Sequence, residues 1–132
     1  MKVIADTSIW SLFLRRDRLK QAEKTELLKQ VILEKRVQML GIIRQELLSG
    51  IKNKSHFKRI NEILSGFPDL LAQTEDHLLA AGYFNKCRSK GVQGSPVDFL
   101  ICAQASRNNM KILASDKDFE NYSKHIPIEL AG

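Results

Sequence analysis

The feature that most constrains this fold is an alternation of short apolar segments with longer segments of helical periodicity. Apolar runs typical of buried strands lie at 2–5, 37–40, 67–72, 111–114 and 126–130. Helical patterns lie at 9–14, 19–34, 42–51, 56–64, 76–90, 95–108 and 118–122. Strands that alternate with helices in this way predict an α/β fold with a largely parallel sheet.

The size and composition of the chain predict one globular domain, spanning residues 1–132. A length of 132 residues is typical of a single domain, and an apolar fraction of 43% is enough for one core. No run approaches the ~18 apolar residues of a membrane span, and the first residues lack a signal-peptide pattern. Cys87 and Cys102 are expected to be reduced, buried thiols. We therefore expect a cytoplasmic protein.

Four acidic residues are expected near the carboxyl ends of strands, where parallel sheets bind their ligands. Asp6 directly follows the first apolar run, and Asp116 follows the run at 111–114 after one residue. Asp98 lies in the first turn of a predicted helix, and Glu46 lies in the helix after the second strand. Each aspartate taken singly is also explained as a helix cap, worth ~1 kcal/mol.

Glu46 is harder to explain as an ordinary surface residue. At about 100° per residue, it falls between Ile42 and Ile43 on its helix, so we expect its carboxylate to face packed protein. Carboxylates gathered without cations raise one another's pKa, and a divalent cation relieves that repulsion. Oxygen ligands without paired His or Cys favour Mg²⁺ or Mn²⁺ over zinc, and carboxylate-held Mg²⁺ serves phosphoryl chemistry.

Four blocks of this sequence resemble the PIN domain family, and within it the VapC-type toxin ribonucleases of type II toxin–antitoxin systems. The blocks are VIADTSIW at 3–10, RQELLSG at 44–50, SPVDFLICAQA at 95–105 and ILASDKDF at 112–119. They occur in the family's order and together are specific. The resemblance implies a PIN fold, with a Rossmann-like, mostly parallel sheet of four to five strands flanked by helices. It also implies an Mg²⁺-dependent endoribonuclease, with Mn²⁺ as a possible substitute.

The resemblance also assigns roles to residues at matching motif positions. It gives four catalytic acids: Asp6, Glu46, Asp98 and Asp116. Of these, Asp6, Asp98 and Asp116 would hold the main metal ion, with Glu46 binding directly or through water. Auxiliary positions are Thr7, Ser8, Ser115 and Asp118. One departure is Ala114, which stands where the family commonly has Thr; Ser115 offers a hydroxyl beside the fourth acid instead.

The implied partners are a cognate VapB-type antitoxin, a structured RNA substrate such as tRNA or rRNA, and a second copy of the chain in a homodimer. The chain has 21 Lys and Arg against 15 Asp and Glu, a formal charge of +6. Setting aside the four acids and Asp118 leaves ten acidic residues, so the remaining surface is strongly basic. The candidates for RNA-backbone contacts are Arg15, Arg16, Lys52 and Lys54.

Two alternatives within the same family stay open. One is a housekeeping PIN nuclease that processes RNA, and the other is a catalytically silent PIN-like binding module. A response-regulator receiver is disfavoured because a single acid, Asp6, follows the first strand. A phosphatase with a D-x-D motif there is excluded because residue 8 is Ser. Phe99 and Phe119 are predicted to lie in the core, and Trp10 is predicted to lie in the core or in a dimer interface.

Overall fold

The computed structural model describes residues 1–15 and 22–132. One three-stranded sheet has the order β1-β4-β5, and both of its strand pairs are parallel. Its strands are β1 (Val3–Ala5), β4 (Lys111–Leu113) and β5 (Glu129–Leu130). Ile4 lies opposite Ile112, and both are fully buried, as expected for apolar strands covered on both faces.

A second, two-stranded sheet continues the first one. It pairs β2 (Met39–Leu40) with β3 (Asp69–Leu70) in parallel. A parallel bridge between Val3 and Val37 joins it to β1, with the Val3 amide donating to Arg36 at 2.8 Å. The strands therefore follow the order β3-β2-β1-β4-β5, which confirms the predicted mostly parallel sheet.

Seven helices lie within the described residues and connect these strands. They are α1 (Thr7–Leu14), α2 (Ala22–Leu33), α3 (Gly41–Leu48), α4 (Lys54–Leu64), α5 (Thr74–Ser89), α6 (Pro96–Arg107) and α7 (Asp118–Ser123). Side-chain caps begin three of them, because the side chains of Asp6, Asn53 and Ser95 accept amide hydrogen bonds at their first turns. The first three residues of the helix predicted at 19–34, positions 19–21, lie outside the described residues.

The core lies between the sheet and the helices, and the aromatic residues predicted for it are there. Trp10 is fully buried and meets the ring of Phe67 edge-on, at 5.2 Å between centroids. Phe99 and Phe119 are buried beside Tyr122. Cys87 and Cys102 are buried free thiols, as predicted. Among the described helices, none is long and apolar enough to cross a membrane.

Candidate active site

The carboxyl ends of β1 and β4 bring Asp6 and the segment before Asp116 together. The Asp6 amide donates to the carbonyl of Leu113 at 2.9 Å, so the residue after β1 is tied to the last residue of β4. The Asp6 side chain turns back to cap α1, where its Oδ1 accepts from the Ile9 amide at 3.1 Å. The capping role and a place at the sheet edge are therefore both observed for Asp6.

Asp6 is a buried carboxylate that lies near other acids. The residue is only 5% exposed. Its pKa is raised to about 6: burial is the largest cause, hydrogen bonds from Ser8 and the Ile9 amide oppose the rise, and the charges of Asp116 and Asp98 add to it. Asp6 therefore interacts electrostatically with Asp98 and with Asp116.

Asp98 sits in the first turn of α6, which Ser95 caps by accepting the Asp98 amide at 3.1 Å. Its carboxylate Oδ2 accepts a hydrogen bond from the Tyr122 hydroxyl at 2.7 Å. Burial raises the pKa of Asp98, the Tyr122 and Ser95 hydroxyls oppose that rise, and the charges of Asp116 and Asp118 add to it. Asp118 therefore acts electrostatically on this group, although it is exposed.

A chain of hydroxyl groups leads to Asp6. Ser115 Oγ donates to Ser8 Oγ at 2.6 Å, and Ser8 Oγ donates to Asp6 Oδ1 at 2.6 Å. This chain links the segment after β4 to the first turn of α1. Ser115 therefore contributes a hydroxyl on the Asp6 side of the group, next to the position where Ala114 replaces the family's usual Thr.

The prediction that Glu46 faces packed protein is wrong. Glu46 is exposed, because α3 buries Ile43 and Leu47 instead and the flank that carries Glu46 is left open. Its Oε1 accepts a hydrogen bond from the Thr7 hydroxyl at 2.5 Å. Glu46 is thus connected to the acid group through Thr7, the residue next to Asp6, and it needs no buried counterion.

Asp116 lies at the exposed edge of the group. Its Oδ1 accepts the amide of Asp118 at 3.1 Å, which shapes the turn into α7. A cavity of about 930 Å³ opens beside it and is also lined by Lys24 and Phe119. Asp116 is therefore open to a ligand from the solvent.

Sequence reasoning missed two residues at this site, Lys24 and Tyr122. Lys24 Nζ on α2 donates to the Ala114 carbonyl at 2.7 Å and so holds the segment before Asp116. Its partner is distant in the sequence, and one lysine within a charged helix gives no local signal of such a contact. A buried tyrosine does signal a partner for its hydroxyl, but the sequence does not say which partner.

The donor set fits a hard divalent cation in its chemistry, because the acids offer only carboxylate oxygens, with hydroxyls behind them. Asp6 is buried and interacts with two other carboxylates, so it is the kind of group that a cation would neutralise. Within residues 1–15 and 22–132, however, no three His, Cys, Asp or Glu side chains converge as a ready-made metal site. The acids share an environment without forming a closed cage.

Three of the four predicted RNA-backbone residues lie in the part of the chain that the structure describes. Arg15 ends α1, while Lys52 and Lys54 flank the start of α4, and all three are exposed. Arg16 lies outside the described residues. A groove of about 760 Å³ passes beside Arg15 and is lined by Leu47 and Ile60. These cations are available for contacts with a polyanion.

The fold just described defines the class of this protein. A family model described as PIN domain matches residues 3–125, and the chain belongs to the PIN domain family. PIN domains are generally nucleases and generally use divalent metal ions. No curated protein matches this sequence significantly.

Solved structures share this fold over nearly the whole chain. FitAcB from Neisseria gonorrhoeae is similar with a TM-score of 0.76 at 20% identity, covering 98% of this chain and 96% of that one. VapBC2 from Rickettsia felis, bound to a DNA fragment from its promoter, has a TM-score of 0.73 at 16% identity, covering 99% and 98%. DNA-bound VapBC from Salmonella typhimurium has a TM-score of 0.72 at 15% identity, covering 99% and 97%. At these identities the likeness shows the fold.

Proposed function

We propose that this protein is a VapC-type toxin, a single PIN domain over 1–132 that acts in the cytoplasm as an Mg²⁺- or Mn²⁺-dependent endoribonuclease. The observation that carries the proposal is the shared environment of Asp6, Asp98 and Asp116 at the carboxyl end of a parallel sheet. The relatives of the same fold are toxin–antitoxin complexes, and they support the toxin assignment.

Asp6, Asp98 and Asp116 would hold the metal ion, and Glu46 would bind it directly or through water. Such an ion, when bound, lowers the pKa of a coordinated water and stabilises charge on a phosphodiester. The hydroxyls of Ser8 and Tyr122 keep Asp6 and Asp98 oriented, and Thr7 does the same for Glu46. Burial of Asp6 limits its hydration, so its charge is available to a ligand rather than screened by water.

Removal of single acids tests the enzyme assignment. Asp6→Asn and Asp98→Asn each lose a candidate metal oxygen but keep their size, and Asn still caps a helix. We expect both to abolish Mg²⁺-dependent cleavage of a tRNA and rRNA mixture, whereas the exposed Glu62→Gln retains it. Product ends should be 5′-phosphate and 3′-hydroxyl. Retained cleavage in both aspartate variants would overturn the assignment of the site and favour a different active centre.

The proposed contacts with the RNA backbone are made by Arg15, Arg16, Lys52 and Lys54. A combined Lys52→Gln and Lys54→Gln variant should bind RNA more weakly and with a shallower salt dependence. Two lost phosphate contacts reduce the slope of log K against log salt by about 1.4 on single strands. An unchanged slope would exclude these two lysines from the contact surface, while the cleavage assay would still test the acids.

The proposed protein partners are a VapB-type antitoxin and a second copy of the chain. The groove beside Arg15 combines apolar walls from Leu47 and Ile60 with cations at its edge, which suits an amphipathic antitoxin segment. A second, apolar groove of about 460 Å³ is lined by Ala81, Phe84 and Leu100, and it suits a copy of the chain. Co-expression with a neighbouring small DNA-binding protein should suppress cleavage and growth arrest. Cleavage that persists in the presence of such a partner would favour a housekeeping PIN nuclease.

A further inference from the structure

Tyr122 lies outside the four sequence blocks, but it contacts one of the candidate acids. It lies on α7 and is 1% exposed, and its hydroxyl donates to Oδ2 of Asp98 on α6 at 2.7 Å. The hydrogen bond occupies one oxygen of the Asp98 carboxylate. The Ser95 hydroxyl, at the start of the same helix, is a second hydrogen-bond partner of this carboxylate.

The tyrosine ring is held in place by its neighbours. The rings of Phe99 and Phe119 lie 4.7 Å and 5.4 Å from it, centroid to centroid, and both are buried. Phe99 follows Asp98 directly on α6, while Phe119 is on α7 with Tyr122. The same aromatic cluster therefore fixes the donor and the helix that carries the acceptor, which gives the hydroxyl one direction.

Gly94 leaves the space that the tyrosine hydroxyl occupies. A Cβ at position 94 would overlap the Tyr122 hydroxyl and would lie 2.7 Å from a ring carbon of Phe99, closer than real Cβ atoms come. The φ angle at Gly94 is not of the left-handed kind that favours glycine. The absence of a side chain there consequently serves the approach of Tyr122 to Asp98 rather than the backbone conformation.

We propose that Tyr122 is a positioning residue that fixes the orientation of the Asp98 carboxylate towards the metal ion. The inference rests on the proposed function, because it takes Asp98 as a metal ligand. A phenol is suited to this task, since it donates one hydrogen bond and brings no charge that would compete with the cation. Groups that hold a metal ligand by hydrogen bonding typically govern metal affinity.

The chain offers a matched control in Tyr83. This tyrosine on α5 is also buried, at 8% exposure, and its hydroxyl lies 2.8 Å from Ser106 Oγ on α6. Tyr122→Phe and Tyr83→Phe each remove one buried hydroxyl from a hydrogen bond to the same helix. They differ in that only Tyr122 contacts a candidate acid. A merely structural role predicts similar effects of the two changes on thermal stability and on nothing else.

The test is calorimetric titration of Mn²⁺ into the purified chain and its variants, with circular dichroism to verify folding. We expect Tyr122→Phe to bind Mn²⁺ more weakly by roughly 10-fold or more. Tyr83→Phe should bind like the wild type. Gly94→Ala, which moves Tyr122 without changing it, should fall between them.

Equal Mn²⁺ affinity in the wild type and folded Tyr122→Phe would overturn the inference and leave the proposed metal centre standing. Equal losses in Tyr122→Phe and Tyr83→Phe would also overturn it, because the effect would then be general. If the wild type and Asp98→Asn bound Mn²⁺ equally, Asp98 would not be a ligand, and the proposed function itself would fail at that residue.

Discussion

Two buried aspartates in this protein differ in whether a positively charged partner compensates their charge. Asp76, at the start of α5, is 2% exposed and accepts from Arg107 at 2.6 Å, and it also accepts the Gln73 amide. Asp6 is nearly as buried, but its hydrogen bonds come from a hydroxyl and an amide, and two further acids lie near it. Asp76 is neutralised within the fold, whereas Asp6 keeps uncompensated charge.

The difference separates a carboxylate that stabilises the fold from one that the fold must tolerate. A buried charge is costly unless it is paired, and pairing by Arg107 offsets that cost at Asp76. No Lys or Arg in the described residues forms an ion pair with Asp6. This difference is what the proposed role of Asp6 as a metal ligand would require.

The largest expected effect is the pH dependence that Asp6 gives to the free energy of unfolding. It is measured with a chelator present, so that no metal ion is bound. The folded-state pKa is raised to about 6 from 3.8, so the native state binds more protons than the unfolded state between these values. Stability associated with protonated Asp6 is present below about pH 4 and is lost as pH rises through 6. This loss is on the order of 3 kcal/mol.

The neutral variant Asp6→Asn should escape that loss. Its free energy of unfolding in urea should exceed that of the wild type at pH 7 and approach it at pH 4.5. Glu62→Gln is the control, since its side chain is exposed. If the free energies of unfolding of the wild type and Asp6→Asn differ by the same amount at both pH values, the charge of Asp6 carries no such cost.

The next effect is stabilisation by metal ions. Mn²⁺ at about 100 times its dissociation constant adds about 2.7 kcal/mol to a protein that binds it only when folded. We expect a rise in melting temperature for the wild type and for Asp76→Asn, and none for Asp6→Asn. A rise in all three proteins would place metal binding away from Asp6.

A smaller effect is expected when the ion pair at Asp76 is broken. Asp76→Asn removes the charge beside Arg107 but keeps the cap, and we expect a loss of about 2 kcal/mol in urea unfolding. The loss is less than for a fully buried pair, because the Arg107 side chain is one-third exposed. RNA cleavage by the folded variant should be unchanged. Loss of cleavage without loss of stability would contradict the structural role of Asp76.

The smallest effects concern the hydroxyl chain to Asp6. Ser8→Ala removes a donor to the Asp6 carboxylate, and we expect about 1.5 kcal/mol less stability at pH 7. Ser115→Ala removes only the outer hydroxyl and should cost about 0.5 kcal/mol. Equal losses measured by urea unfolding would mean that Ser115 acts on Asp6 by a route other than Ser8.

The sequence predicted the parts of the site that depend on local pattern. Asp6 and Asp116 are predicted site residues because short apolar runs end before them, and Asp98 because Ser95-Pro96 marks a helix start, and the structure has the strands and the helix at these places. The apolar run at 67–72 was predicted as a longer strand, but β3 pairs over only Asp69–Leu70. A strand extends only as far as its partner, and β2 is equally short.

What the sequence could not predict depends on the orientation and contacts of whole helices. Glu46 is exposed because the orientation of α3 about its axis buries Ile43 and Leu47 instead. Tyr122 reaches Asp98 across two helices, and Lys24 reaches Ala114 from a helix at the other end of the chain. Such contacts are set by tertiary packing, and no periodicity within one segment carries them.

The central place of β1 also has a consequence for when activity can arise. Val3 pairs with Val37 on one side and with Lys111 on the other, so the strand that ends at Asp6 is completed by a segment far along the chain. Closing so long a loop is slow compared with forming local helices. During synthesis, Asp6 must wait for Asp98, Asp116 and Tyr122 to emerge. The group of acids proposed as the active site therefore cannot assemble on the ribosome until nearly all of these residues have been made.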